Sequence, residues 1–149
     1  HILTKLEAGF DKFDVVGLAG AKTANLKPPV LWHVMAKKAD QSGAVAHPLN
    51  CCQFTMTSFG PTPDRCLILD GLFIAVKIDA LKNENIRFDE SIPTIAHFYD
   101  IDFCLNANKL KLKLTTWPIW VVHSSPGLEN TTEEFLKGQK YILDKWHGR

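Results

Sequence analysis

Leu69-Asp70-Gly71-Leu72-Phe73-Ile74-Ala75-Val76 and, after a polar connector, His97-Phe98-Tyr99-Asp100-Ile101-Asp102 are the stretches on which the reading of this chain turns. In the first, two apolar runs, 66–69 and 72–76, flank Asp-Gly. That dipeptide favours a two-residue hairpin turn, so local rules predict a hairpin here, with Asp70 as a turn residue or as a group at a cleft edge. In the second, Ile101, Cys104 and Leu105 recur at helical spacing. They predict a short helix that opens at Asp100 and that Asn108 can stop.

Upstream, Leu3, Leu6, Phe10 and Phe13 predict a helix over 3–13. The small, apolar run Asp14-Val15-Val16-Gly17-Leu18-Ala19-Gly20-Ala21 predicts a buried strand entering a tight loop. Gly17 and Gly20 lack the spacing and the lysine of a phosphate loop, so they read as close backbone packing. Segments 30–35, 45–49 and 52–56 are strand candidates. Trp32 and His33 either face a ligand or form a packed lid over the core.

Downstream of the first stretch, Asp79 is placed to cap a helix over 80–84, with Asn85 left-handed at its end. Lys and Leu alternate over 109–114, the period of a strand with one wet face. A buried strand over 119–122 delivers His123 to the loop Ser124-Ser125-Pro126-Gly127. Thr131 and Glu134 form a capping box for a last helix, whose apolar face is Phe135, Ile142, Leu143 and Trp146. Helices interleaved with strands predict an α/β domain, a mixed sheet flanked by helices.

The 149 residues suit one domain, and the net charge of +1 gives no electrostatic case for nucleic acid or an anionic membrane as partner. No apolar run approaches the roughly 18 residues of a membrane span. Cys51, Cys52, Cys66 and Cys104 lack zinc-site spacing and read as reduced, mostly buried thiols of a reducing, cytoplasmic compartment. The start at His1, without Met or signal peptide, reads as a piece of something longer.

The chemistry concentrates on the second stretch. Asp100-Ile101-Asp102 has the spacing of a DxD metal motif, but on a helix positions two apart point about 200° away from each other. The pair is therefore not expected to grip one ion. Asp100 at a helix start is a plain cap or a general base presented to a cleft. Asp102 is salt-bridged, holds a loop, or joins Asp70, Gly71, His97 and Tyr99 as a substrate-binding residue. His97 and Tyr99 suit sugar hydroxyls or ring stacking, and His123 at a strand end is a candidate metal ligand.

Taken in order, residues 13–21, 69–77, Phe88-Asp89-Glu90, 97–105 and Val122-His123-Ser124-Ser125-Pro126-Gly127 resemble the C-terminal half of GT-A glycosyltransferases of the family 2 type, the nucleotide-diphospho-sugar transferase fold. The resemblance covers about residues 13–146. It implies transfer of a sugar from a nucleotide-diphosphate donor to a carbohydrate or glycan acceptor hydroxyl, with inversion and with Mn2+ or Mg2+. It makes Asp100 the catalytic base, with Tyr99 in place of the usual acidic neighbour, puts Asp70-Gly71 at the donor and acceptor cleft, and makes His123 a late metal ligand. It also implies that the nucleotide-binding strands and the metal-binding DxD precede His1, so that 1–149 is the C-terminal, acceptor-side portion of the domain. A non-catalytic carbohydrate-binding or assembly module is the alternative, and a carboxylate-dependent hydrolase a third.

Overall fold

A computed structural model describes residues 1–83, 85–94, 96–124 and 132–146. The capping residue Thr131 and the Ser125-Pro126-Gly127 loop lie outside the described residues.

Helix α1, Ile2–Phe10, lies against the next element through Gly9. A methyl group there would stand 3.1 Å from Val16 Cγ2 and 3.3 Å from the Trp117 ring, so the missing side chain sets the close approach. The run expected to be one strand is two: β1, Val15–Gly17, and β2, Ala19–Ala21, all fully buried. They separate at Leu18 and enter different sheets.

The remaining strands are β3, Gln41–Asn50; β4, Gln53–Gly60; β5, Asp64–Arg65; β6, Ile68–Leu69; β7, Ile74–Val76; and β8, Leu114–Thr116. One sheet has the order β5-β8-β1-β7, with β1 parallel to β8 and antiparallel to β7. The other, wholly antiparallel, has the order β4-β3-β2-β6. Helices α2, Trp32–Met35; α3, Ile78–Asn83; α4, Tyr99–Lys109; and α5, Glu133–Trp146 complete the fold. The protein is thus a mixed α/β structure whose mixed and antiparallel sheets are flanked by helices. Among the described residues no helix is long and apolar enough to cross a membrane.

Four local expectations fail, each for a physical reason. The runs around Asp70-Gly71 do not form a hairpin, because both pair with the upstream run instead of with each other. Gly20 stands opposite Leu69 and Gly17 opposite Ile74, so four residues, 70–73, face two, 18–19, and the excess bulges outward. Segment 30–35 is not a strand: Val30 has φ 57, and Leu31 O accepts from Val34 N and Met35 N, closing a helical turn. The alternating Lys-Leu segment is mostly the turn by which the chain leaves α4 for β8. Leu112 N donates to Ala107 O at 3.0 Å and Lys111 takes φ 61, a left-handed helix stop that overrides the period of two. Residues 119–122 make one parallel bridge, Val122 to Ala46, and Trp120 and Val122 face outward although Ile119 is buried.

Other expectations hold in part. Asn85 is left-handed at φ 49 beyond α3, although Asp79 falls inside that helix's first turn. Asn108 does not stop α4, which runs on to Lys109; its side chain donates to Cys104 O at 2.7 Å and Leu67 O at 2.8 Å, and the left-handed stop is Lys111. The last helix buries Phe135, Ile142 and Trp146, with Leu143 partly buried. All four cysteines are free thiols, Cys66 and Cys104 buried but Cys51 and Cys52 exposed at the β3-β4 turn.

Two close contacts fix the position of α4 and of its first turn. Cys104 Sγ accepts from Leu69 N at 3.2 Å, docking α4 on β6. Gly138 brings α5 within contact of Phe98, which is 2% exposed and immediately precedes α4.

Candidate functional site

The 70–73 bulge and the start of α4 are joined by two hydrogen bonds, and a third braces the bulge. Gly71 N donates to Asp100 Oδ2 at 2.9 Å, Tyr99 OH donates to Gly71 O at 3.1 Å, and Leu72 N donates to Asp70 Oδ1 at 2.9 Å within the bulge itself. Gly71 has to be glycine for this contact, since a Cβ would come within 2.6 Å of Tyr99 Cζ. Asp70 is further tied to α2, its Oδ2 accepting from Trp32 Nε1 at 2.8 Å.

Around this junction opens a cleft of about 400 Å³ whose walls include Trp32, Asp70, Gly71, His97, Tyr99, Asp100 and His123. Six of the seven site residues expected from sequence therefore meet at one cavity. The seventh, Asp102, does not. It is fully buried and accepts from Trp146 Nε1 at 2.8 Å, Lys145 Nζ at 2.8 Å and Asn106 Nδ2 at 3.1 Å. Its role is to anchor α5 on α4 rather than to bind substrate, and the divergence of the two carboxylates follows from their helical spacing.

Phe98 enters α4 at φ 69, and the helix has no side-chain cap there. Asp100 Oδ1 instead accepts from Ile101 N at 2.8 Å, so the carboxylate is held by two N–H groups, one from the helix and one from the bulge. Burial, and then the like charge of Asp70, push its carboxyl up to about 6, against the pull of those N–H groups. Half-buried at the cleft wall, Asp100 is mostly ionised at neutral pH and holds a proton well enough to accept one.

Tyr99 and His97 beside it remain neutral. Burial, then Asp100 and Asp70, raise the Tyr99 phenol, which stays a donor. Burial lowers the His97 imidazole, opposed by Glu134, and its ring stands edge-on to Phe135 with centroids 4.9 Å apart. His123 is fixed through its backbone, its N donating to Ala46 O at 2.8 Å.

Trp32 both packs and faces the cleft: it is 7% exposed, yet its indole N–H positions Asp70. His33, on the same turn, also lines the cavity. His47, whose ring lies beside that of His123, had no signal in the sequence, because its partner is 76 residues away.

For a divalent ion, the cleft supplies the imidazole of His123 and the carboxylate of Asp70, which already accepts two hydrogen bonds. Among the described residues no group of three or more His, Cys, Asp or Glu side chains is placed to hold a metal. Mg2+ and Mn2+ prefer oxygen donors, so Asp70 is the residue of the pair that would meet such an ion and His123 the weaker donor. No model of a known protein family and no curated protein matches the chain.

Proposed function

We propose that this cleft belongs to a glycosyltransferase of GT-A type that moves a sugar from a nucleotide-diphosphate donor to a carbohydrate hydroxyl, with Asp100 as general base. The observation that carries the reading is the Asp100 carboxylate, gripped by two N–H groups at the wall of an open polar cavity and pushed up to about 6. A base of that strength is ionised at neutral pH and still takes a proton readily from an attacking oxygen.

In the reaction, the acceptor oxygen attacks the anomeric carbon as its proton passes to Asp100, and the bond to the nucleotide diphosphate breaks on the opposite face, with inversion. A Mn2+ or Mg2+ ion, when bound, offsets charge on the departing diphosphate. Asp70 holds its place through Trp32 and Leu72 and faces the sugars, the bulge carbonyl of Gly71 accepts from Tyr99 OH and orients the ring, and Tyr99 offers an acceptor oxygen and ring surface, and His97 a neutral imidazole, to hydroxyl groups. The free thiols fit a reducing, cytoplasmic setting.

The test is sugar transfer by the natural full-length protein with Mn2+, wild type against Asp100→Asn. The expected loss in kcat is about 10²-fold or more, with an unchanged circular dichroism spectrum. Full activity in the variant removes Asp100 as base. Metal-independent glycan binding with no turnover in either protein favours the carbohydrate-binding module.

A further inference from the structure

The geometry points to His47 and His123 as a two-imidazole site for a borderline transition cation, built where the β3-β4 hairpin meets the edge of the cleft. The pairing is fixed by backbone. Val122 bridges Ala46 in parallel, Ala46 N donates to Val121 O at 3.3 Å, and His123 N donates to Ala46 O at 2.8 Å. In a parallel ladder the residues that follow a bridged pair are neighbours on one face, so His47 and His123 are side by side by construction.

The side chains agree with that placement. The two rings stand with centroids 5.9 Å apart and planes at 57°. Two imidazoles on one tetrahedral ion, with metal to nitrogen bonds of about 2.1 Å, place their centroids roughly 5.3 Å apart. Small side-chain rotations close the difference.

A hydrogen bond also selects the nitrogen. His47 Nδ1 lies 3.2 Å from His123 O, and a carbonyl oxygen can only accept, so Nδ1 carries the proton. In the neutral ring this leaves the Nε2 lone pair for a metal, the arrangement in which a ligating histidine commonly uses its other nitrogen to fix its orientation. The carbonyl comes from the partner ligand itself, so moving one imidazole moves the other.

Two nitrogen donors favour Co2+, Ni2+ and Zn2+ over Mn2+ and make a poor site for Mg2+. The remaining positions open toward water and the cleft, which His123 lines and His47 does not. The pair stands on its own geometry, independently of the transfer reaction.

The exposed Cys51 and Cys52 thiols, at the tip of the same hairpin and 3.5 Å apart, are the competing soft ligands. The experiment is therefore a Co2+ titration of the full chain carrying Cys51→Ser and Cys52→Ser, followed by calorimetry and by histidine ring NMR. One Co2+ is expected per chain, with paramagnetic shifts at His47 and His123 exceeding those at His33 and His97. His47→Gln, on a surface hairpin, is expected to weaken Co2+ by at least about tenfold, since losing an outer partner alone weakens metal binding 10–100-fold. Excess Mg2+ should not compete. Undiminished affinity in His47→Gln, shifts at His123 without His47, or Co2+ binding that disappears with the two thiols would overturn the site. Each of these leaves the role of Asp100 untouched, just as loss of Asp100 activity leaves this site standing.

Discussion

Replacing Asp70 by Asn should lower the pKa of Asp100 without moving the carboxylate. Asp100 rises from the ordinary 3.8 to about 6, with burial the larger cause and the Asp70 charge the second. Removing the second cause alone should bring the midpoint below 6, with burial still holding the carboxyl up. A tenfold gain in acidity would carry the ionised fraction at pH 5 from about one tenth to about one half, whereas at pH 8 nothing changes. Carboxyl-carbon NMR reads the midpoint directly, and the acid limb of kcat against pH should follow it. Asn keeps only one of the two acceptor oxygens that Asp70 gives to Leu72 N and Trp32 Nε1, which calls for a control. Trp32→Phe breaks the indole contact and keeps the charge, so its Asp100 midpoint should stay near 6. An unmoved midpoint in Asp70→Asn, or an equal fall in both variants, would refute electrostatic coupling between the two carboxylates. The same shift fixes a sign for stability: a raised carboxyl supports folding fully below pH 3.8 and loses that support as pH rises through about 6.

Lys145→Met removes the ammonium that lies 2.8 Å from the fully buried Asp102 and 2.6 Å from Asp89; a loss of about 3–5 kcal/mol in urea unfolding is expected, and a loss under about 1 kcal/mol would show the pair to behave as an exposed one. Asp89 has the opposite pH sign to Asp100: Lys145 first, then Ser91 N–H and Tyr141 OH, hold it down at about 2 against burial, so its stabilisation is complete above pH 3.8 and fades as pH falls through about 2. Asp89→Asn should therefore flatten the acid side of the stability curve by about 2 kcal/mol, measured as the difference between wild-type and variant unfolding at pH 6 and pH 2. Gly71→Ala should cost about 1–3 kcal/mol and lower kcat together, because the new methyl meets the Tyr99 ring and the bulge must leave Asp100; urea midpoints with transfer rates check both.

What could be read from sequence was whatever local chemistry decides. The helical spacing after Asp100 and the apolar face of the last helix depend on residues a few positions apart, and both are present. The convergence of Asp70, Gly71, His97, Tyr99, Asp100 and His123 was legible through the order of segments. Failures came where a distant partner overrode a local rule. Asp-Gly between two apolar runs promises a turn, yet strands 15–17 and 19–21 offered both runs better company. The Lys-Leu alternation obeys period two only on paper, since Lys111 in a left-handed conformation ends a helix that begins at Tyr99. Asp102 as a substrate ligand failed for a related reason: no rule two residues wide could foresee Trp146 and Lys145 arriving from α5.

That failed hairpin is also what makes the cavity. Had 66–69 and 72–76 paired with each other, Asp70 and Gly71 would sit at a solvent turn with their polar groups bonded to water. Pairing both runs with 15–21 instead leaves two surplus residues in the ladder, and a surplus within a ladder is expelled sideways with its N–H and C=O groups unpaired. Gly71 N and O are those groups, and they find Asp100 and Tyr99. Phe98 can deliver those two side chains because α5 approaches it at Gly138, while Asp102, on the inward side of the same helix turn, locks α5 in place through Trp146 and Lys145. One helical turn thus divides its two carboxylates between tasks. The buried one, fully paired, sets position, and the half-buried one, crowded by Asp70, keeps its affinity for a proton.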